Sequence, residues 1–193
     1  TIAEGPNGFI WAGTWSHGLN ALDPLTGATT RYSFGEQAGD LPECGIKDIL
    51  FDREGRLWMA TTEGLIRYHR ADSTFSVYGQ DIKNPGSIAN KSVHCLLEGP
   101  NGKIFCGTNG GLSILDPETQ QFENIRSEDS LRSEAIAGME FDQKGNLWLA
   151  TGNGLHCLNL KTRRVQIYDY EDGTPGNDYG LWSHHKGADG KLY

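Results

Sequence analysis

The chain has 193 residues and a formal net charge of −8 at pH 7, with acidic and basic side chains mixed along its length. No basic stripe of the kind that drives nucleic-acid affinity is present, so no nucleic-acid partner is expected. A hydrophobic share of 37% and 26 glycines favour many short strands joined by tight turns over a disordered chain. No run of 18 apolar residues occurs, so this segment is not expected to contact a membrane.

A seven-residue motif recurs through the chain, with the pattern Gly-x-x-aromatic-x-(Gly or Ala)-Thr. Its successive first glycines lie 47, 47, 43 and 45 residues apart, and a Gly-Leu pair follows each complete copy. The first glycines are Gly8, Gly55, Gly102, Gly145 and, in a copy that is cut off, Gly190. The aromatic residues are Trp11, Trp58, Phe105, Trp148 and Tyr193. Coincident features at one period identify a sequence repeat.

Within a copy the apolar residues alternate with period two, which predicts strands rather than helices. In the second copy the pattern predicts strands at 46–51, 56–61, 65–68 and 75–78, with a tight turn at 52–55. Four antiparallel strands in one repeat are typical of a propeller blade. The sequence therefore predicts an all-β fold in which residues 1–193 form a partial β-propeller. The expected blades span about 1–34, 46–79, 92–126, 135–170 and, incompletely, 181–193.

Four complete copies and the start of a fifth indicate a piece of something longer. Such an array leaves two sheet edges that pairing with other strands would cover. We expect an open arc, an oligomer that completes the ring, or part of a larger closed propeller. Self-association, or contact with the remaining blades of the same propeller, is the expected protein interaction.

The repeated aromatic residue is expected to pack between neighbouring blades, because one sheet cannot bury both of its faces alone. Burying a ring of this kind removes roughly 150–250 Å² from water, which favours a core position over a ligand platform. The cysteines share neither a repeat position nor a C-x-x-C spacing, which favours isolated, mostly buried thiols over a zinc site or disulfides. They are Cys44, Cys95, Cys106 and Cys157.

Two kinds of connection are expected to share one face of the disc. With the strands of a blade labelled A to D in chain order, these are the short B–C loops and the long, variable D–A connections. Variable loops on a rigid scaffold commonly carry recognition. The candidate ligand-binding residues are Trp15 and His17, followed by Glu63, Asn109 and Asn153. The alternative is that these are ordinary solvated turn residues.

No catalytic or metal-binding motif stands out, and no cofactor is expected. A Gly-rich phosphate loop, a nucleophile elbow and a His-x-x-x-His pair are all missing from the sequence. His184 and His185 would point to opposite faces of a strand and could not bind one metal together. The acidic residues are scattered, so no carboxylate pair suggests acid–base catalysis. This segment is therefore not expected to be an enzyme.

The stretches 84–93 and 96–117 resemble the two-component regulator propeller repeat. That family's pattern is a loop rich in Asn, Pro and Ser, a strand, a glycine turn, a Leu-Trp-x-Gly-Thr strand and Gly-Leu, and all four complete copies fit it. The departures from the pattern are Phe105 and Tyr193 in place of Trp, Ala60 and Ala150 in place of Gly, and His69 and Asn159 where other copies have Asp.

The resemblance implies a periplasmic location, in the sensor region of an inner-membrane hybrid two-component histidine kinase of Bacteroidetes. Such regions commonly hold paired seven-bladed rings, and many respond to oligosaccharides. An oligosaccharide is therefore the implied ligand, and a histidine kinase outside this chain is the implied output. Residues 175–193 resemble the beginning of the last blade before the next domain.

Two other functions stay open. The segment could be a propeller scaffold for protein–protein interaction, fused to an output such as a cyclase or a DNA-binding domain. It could also be a propeller lyase or hydrolase, in which a histidine and carboxylates from neighbouring blades meet at the central channel. That alternative requires a histidine and a carboxylate within hydrogen-bond reach on the face of the B–C and D–A connections.

Overall fold

A computed structural model describes residues 1–37, 39–129, 131–180, 186–187 and 189–191. These residues form four sheets, each with four antiparallel strands that are hydrogen-bonded in chain order, which confirms the predicted all-β propeller architecture. Most of the expected fifth blade lies outside the described residues, including His184, His185 and Tyr193. No helix in the described ranges is long and apolar enough to cross a membrane.

The sixteen strands fall into four blades, each with strands A to D in chain order. Blade 1 contains β1 (Ile2–Glu4), β2 (Ile10–Gly13), β3 (Leu19–Leu22) and β4 (Thr29–Tyr32). Blade 2 contains β5 (Ile46–Phe51), β6 (Leu57–Thr61), β7 (Leu65–His69) and β8 (Thr74–Tyr78). Blade 3 contains β9 (Val93–Glu98), β10 (Ile104–Thr108), β11 (Gly111–Asp116) and β12 (Gln121–Ile125). Blade 4 contains β13 (Ile136–Phe141), β14 (Leu147–Thr151), β15 (Gly154–Leu158) and β16 (Val165–Tyr168).

Three short 3₁₀ helices occur in the connections of the described chain. They are Pro100–Gly102, Ser127–Asp129 and Tyr170–Asp172. The first replaces the tight A–B turn of blade 3, and the other two open D–A connections. The hydrogen-bonded strands therefore supply the rigid frame, and irregular structure is confined to the two faces of the disc.

The hydrophobic core lies between blades rather than within them. Trp11 contacts Phe51 and Tyr68 of blade 2, with ring centroids 5.9 and 5.7 Å away. Trp58 is 0% exposed and lies in one cluster with Leu96, Ile104, Leu115 and Phe122 of blade 3. Phe105 contacts Phe141 of blade 4 at 5.4 Å. These contacts confirm the predicted inter-blade role for Trp11, Trp58 and Phe105.

Trp148 differs from the other repeated aromatics because it is only half-buried. Its strand neighbours Leu147 and Leu149 point into the cluster shared with blade 3, and side chains alternate along a strand. Trp148 therefore lies on the other face of blade 4, where its ring stacks on Tyr168 at 5.4 Å.

The cysteines are free thiols, as expected. Cys44, Cys95 and Cys106 are buried and Cys157 is partly buried. Burial raises the pKa of Cys44 to about 11 and moves the pKa of Cys95 in the same direction. These thiols are consequently protonated near neutral pH and contribute as small apolar side chains.

Aspartates in the A–B turns bind the indole of the repeated tryptophan. Asp52 Oδ2 accepts hydrogen bonds from Trp58 Nε1 at 2.8 Å and Arg56 Nε at 2.6 Å. Its Oδ1 accepts from the backbone N–H groups of Glu54 and Arg56. In blade 4, Asp142 Oδ2 accepts from Trp148 Nε1 in the same way at 3.1 Å. One carboxylate thus holds both the turn and the ring that packs on the next blade.

Blades 1 and 3 have glycine at this position, with different consequences. Gly5 leaves the buried Nε1 of Trp11 without a hydrogen-bond partner among the described residues. In blade 3 the glycine is Gly99 and the aromatic residue is Phe105, whose ring has no hydrogen-bond donor. This ring occupies the space that a Cβ on Gly99 would need. The exchange of Trp for Phe in blade 3 is therefore matched by the exchange of Asp for Gly.

Small and large residues also alternate across the blade interfaces. The residue before the repeated Thr is Gly107 in blade 3, where an added Cβ would lie 2.5 Å from Cys95 Sγ and 2.8 Å from Ile136 Cγ2 of blade 4. At the preceding interface the equivalent residues are Ala60 and Val93, which share one buried cluster. Where alanine replaces glycine and adds a Cβ, the opposing side chain is valine, which has one carbon fewer than isoleucine.

Replacing Asp52 with alanine is expected to lower the free energy of unfolding by about 3 kcal/mol, since it leaves buried donors of Trp58 and Arg56 unpaired. Burial raises the pKa of Asp52, but hydrogen bonds from Trp58 and Arg56 outweigh it and the pKa lies below its usual value of 3.8. Its stabilising contribution is therefore complete above that pH and is lost as the pH falls through the lowered folded-state pKa. Urea denaturation at pH 7 and pH 3 measures both effects, and an equal loss at both pH values would contradict the carboxylate's role.

Gly107→Ala is expected to destabilise the protein by about 1–3 kcal/mol through overpacking against Cys95 and Ile136. Ile136→Val should recover part of this loss in the double variant, because valine lacks Cδ1 and can turn a hydrogen toward the new Cβ, whereas the contact with Cys95 Sγ stays. A double-mutant cycle in urea measures the coupling, and strictly additive effects would show that the two side chains do not compete for the same space.

Candidate functional site

The five sequence-predicted ligand-binding residues lie on the B–C loops, which share a face with the D–A connections. The loops join β2 to β3, β6 to β7, β10 to β11 and β14 to β15. Asn153 is exposed, with its backbone N–H donating to Thr151 Oγ1. The structure therefore places one or two of the candidates at the end of each blade, and it brings some of them into contact with neighbouring blades.

Trp15 is the most prominent side chain on this face, since 62% of its surface is exposed. Its indole lies against Gly45, where an added Cβ would be 3.1 Å from the ring and 3.3 Å from Thr62 Cγ2 of blade 2. His17 belongs to the same loop, where its Nδ1 contacts Ser16 Oγ at 2.9 Å. Trp15 therefore forms an accessible flat surface across the junction of blades 1 and 2, and glycine is what allows the ring to approach the backbone there.

Glu63 forms an ion pair with Lys91, which lies at the end of the D–A connection leading into blade 3. The Lys91 Nζ to Glu63 carboxylate distances are 3.2 and 3.3 Å, and both side chains are largely exposed. Such exposed pairs contribute little to stability. Because Glu63 lies on a B–C loop and Lys91 on a D–A connection, both groups are accessible to a ligand that binds to this face.

A buried polar network lies next to these loops and was missed by the sequence analysis, apart from Asn109. Lys47 Nζ donates to Ser92 Oγ at 2.7 Å and to His94 Nδ1 at 3.1 Å, which connects blade 2 to blade 3. His94 Nε2 in turn contacts Asn109 Oδ1 at 2.7 Å. Lys47 is 4% exposed and His94 is 9% exposed. The network thus joins a predicted loop residue to two side chains of the innermost strands.

β-Bulges explain why the polar side chains of Lys47 and His94 occur in apolar strands. The register of the A and B strands shifts between Ile46 and Asp48 in blade 2, and opposite His94 in blade 3. Blade 4 repeats the shift around Ala137. A bulged residue leaves the normal alternation and is turned away from the inter-blade core. Lys47 and His94 lie 47 residues apart, the same distance as the repeat, which is the signal that a position-by-position alignment of the copies would have found.

The network fixes the protonation of His94. Because the Lys47 ammonium group can only donate, Nδ1 of His94 accepts, and Nε2 carries the proton that is donated to Asn109. Burial lowers the pKa of His94, the charge of Lys47 lowers it further, and the hydrogen bond to Asn109 opposes this. Burial also lowers the pKa of Lys47. The site therefore offers oriented hydrogen-bond donors and a neutral imidazole at neutral pH.

The described residues do not form an obvious catalytic or metal centre on this face. No described histidine lies within 4.0 Å of a described carboxylate oxygen, and no group of three metal-ligating side chains occurs in these ranges. His156 is a second buried histidine. Neither of its ring nitrogens forms a hydrogen bond to another described residue. Burial lowers its pKa, which keeps this ring neutral as well.

The face carrying the network is acidic. The four D–A connections, at 33–45, 79–92, 126–135 and 169–180, contain eleven Asp or Glu and four Lys or Arg. A ligand approaching this face therefore meets a negative rim around a flat indole and a set of fixed polar groups. This arrangement favours neutral, hydroxyl-rich ligands over anions.

The pKa of His94 is expected to lie below the ordinary histidine value of 6.5 and to rise when Lys47 is replaced with methionine, since the repelling charge is removed. An NMR titration of the His94 Cε1 proton measures this. His69, which contacts Ser76 Oγ at 2.7 Å outside the network, serves as the reference ring in the same spectra. A His94 pKa that is unchanged in Lys47→Met would contradict the coupling.

Residues 40–63 match the family model described as two-component regulator propeller. The chain is 31% identical over 174 residues to "Histidine kinase P4" of Formosa agariphila, an alignment that covers 88% of this chain and 13% of the relative. This chain thus spans about an eighth of that protein's length.

Solved structures share the fold. The extracellular domain of a hybrid two-component system from B. thetaiotaomicron superposes with a TM-score of 0.84 at 24% identity, over 99% of this chain and 26% of that one. Virginiamycin B lyase from Staphylococcus aureus superposes with a TM-score of 0.73 at 14% identity, over 99% of this chain and 60% of that one. At these identities the likeness concerns the propeller architecture alone.

Proposed function

Since the chain belongs to the two-component regulator propeller family, we propose that it is part of the periplasmic sensor region of a hybrid two-component system. In this role it binds an oligosaccharide, or relays the binding of one, to a histidine kinase elsewhere in the protein. The likeness to extracellular domains of such systems in B. thetaiotaomicron supports the location.

The observation that carries the ligand proposal is the combination of Trp15 with the fixed polar network on one face. An exposed indole can pack against the apolar C–H face of a sugar ring, because it combines a large flat surface with a polar N–H. Asn109, Glu63 and Lys91 supply donors and acceptors for hydroxyl groups around that surface. Because the D–A connections are acidic, the proposed ligand is a neutral oligosaccharide.

A scaffold role is the second candidate, and the half-buried Trp148 favours it. Its exposed ring area lies on the face of blade 4 that points away from blade 3, so further blades of the same propeller or another copy of the chain can pack there. A non-enzymatic role for the segment is part of the proposal. The likeness to a lyase concerns the fold, and the described histidines lie apart from the described carboxylates.

Isothermal titration calorimetry of the intact protein against neutral oligosaccharides tests the proposal. Trp15→Ala is expected to weaken binding at least tenfold, since loss of a stacked aromatic anchor commonly removes 2 kcal/mol or more, about thirtyfold in affinity. Leu25→Ala is the matched control, because Leu25 is 94% exposed but lies on the C–D turn of the opposite face.

Two results would count against the ligand proposal. Absence of heat with every oligosaccharide would remove the sugar-sensing function and leave the scaffold role. Binding that Trp15→Ala and Leu25→Ala leave equally unchanged would place the ligand away from this face.

A further inference from the structure

A groove on the opposite face of the disc lies between blades 3 and 4 and is separate from the loops described above. Three turns line it, at 100–103, 144–145 and 159–163, and it encloses about 550 Å³. Phe105, Ile114 and Leu160 provide its apolar surface. This volume falls within the range of sites for small organic ligands.

The groove is open because of the aromatic residue at its base. The equivalent three turns between blades 1 and 2 enclose only about 230 Å³, and Trp11 lines that space. Phe105 replaces tryptophan in blade 3. Its ring packs against Gly99, which has no side chain to occupy that space. Because blade 1 has Gly5 at the equivalent position, the glycine is common to both grooves, and the smaller ring accounts for the larger volume.

Lysines line this groove but not its counterpart. They are Lys103, Lys144 and Lys161, and the equivalent sequence positions in blades 1 and 2 carry Phe9, Glu54 and Ala71. The groove between blades 1 and 2 is lined instead by Arg56, Arg67 and Arg70, of which Arg56 pairs with Asp52. Arg163 also lines the groove between blades 3 and 4, but forms an ion pair with Glu123.

Within the described part of the chain, the ammonium groups of the lysines in this groove have no ion-pair or hydrogen-bond partner. Of the eight lysines in the sequence, four have no Nζ contact to another described residue, and three of these four line this one groove. The fourth is Lys83, on the opposite face. Three unpaired ammonium groups around one cavity repel each other, in a chain whose net charge is −8. An anion in the groove would relieve that repulsion.

We propose that this groove binds a small organic polyanion. Its carboxylate or sulfate groups contact Lys103, Lys144 and Lys161, and its body packs against Phe105. The charge of the groove is opposite to that of the D–A connections, so the two faces of the propeller select ligands of different charge. This inference concerns a different site from the neutral oligosaccharide proposal and does not depend on it.

Calorimetry on the intact protein with four probes tests the proposal. Trigalacturonate carries three carboxylates on a sugar body, and tricarballylate carries three on a body that is not a sugar. Inorganic sulfate is an anion without an organic body, and maltotriose is a neutral sugar. Either organic polyanion is expected to bind at least tenfold more tightly than sulfate, with affinity falling between 50 and 200 mM NaCl as the charges are screened. The relative affinities of the two polyanions show whether a sugar body is preferred.

Two variants assign the binding to this groove. Replacing Lys103, Lys144 and Lys161 together with glutamine should weaken polyanion binding at least tenfold, whereas Lys83→Gln should leave it unchanged. Phe105→Trp should also weaken it at least tenfold without changing any charge, because the larger indole fills the groove. Blade 1 already accommodates tryptophan after glycine at the equivalent position, so this variant is expected to fold.

The proposal is overturned if neither polyanion binds, if both bind no better than sulfate, or if the triple lysine variant binds them as tightly as the unaltered protein. A maltotriose signal that survives Phe105→Trp and the triple variant belongs to the other face. It therefore bears on the oligosaccharide proposal alone.

Discussion

Packing between neighbouring sheets is the interaction on which the rest of this structure depends. Each blade has four short strands and too little side-chain volume to bury both faces, so it acquires a core only where it meets the next blade. The repeated aromatic residue, the small residue two positions after it and the β-branched residue at the start of the next A strand form that contact. Trp58, Ala60 and Val93 are all buried in one such interface. Stability and relative blade orientation therefore arise from the same side chains.

The candidate site follows from that packing. Because the A strands are fixed against each other, a bulge at their first residues can aim Lys47 and His94 at each other across two blades. The same fixed spacing holds Trp15 against the backbone of blade 2 at Gly45. A ligand that contacts the rim would thus touch groups belonging to several blades at once. In the proposed sensor, a change in the relative orientation of two blades would alter all of these contacts together, which is the physical basis of the proposed relay.

Several features could be predicted from the sequence, because each depends on local periodicity or on one residue type at a fixed spacing. They are the repeat length, the strand order, the free thiols and the inter-blade burial of Trp11, Trp58 and Phe105. Placement of the B–C loops followed from the same pattern. Lys47 and His94 could not be found in this way, because a bulge breaks the alternation that was used to assign faces. The groove beside Phe105 was also missed, since its volume depends on how far the ring of Phe105 moves toward Gly99. Half-burial of Trp148 likewise depends on which neighbour covers blade 4.

Hydrogen–deuterium exchange of the intact protein, with and without a neutral oligosaccharide that binds it, tests most directly whether recognition occurs on the face of the B–C and D–A connections. The amides of 14–18, 45–47 and 90–94 are expected to be protected by the ligand, because these segments carry Trp15, Lys47 and Lys91 with its neighbours. The C–D turns at 23–28 and 116–121 should exchange at the same rate in both states. Protection confined to those turns, with none in the three connection segments, would contradict the account.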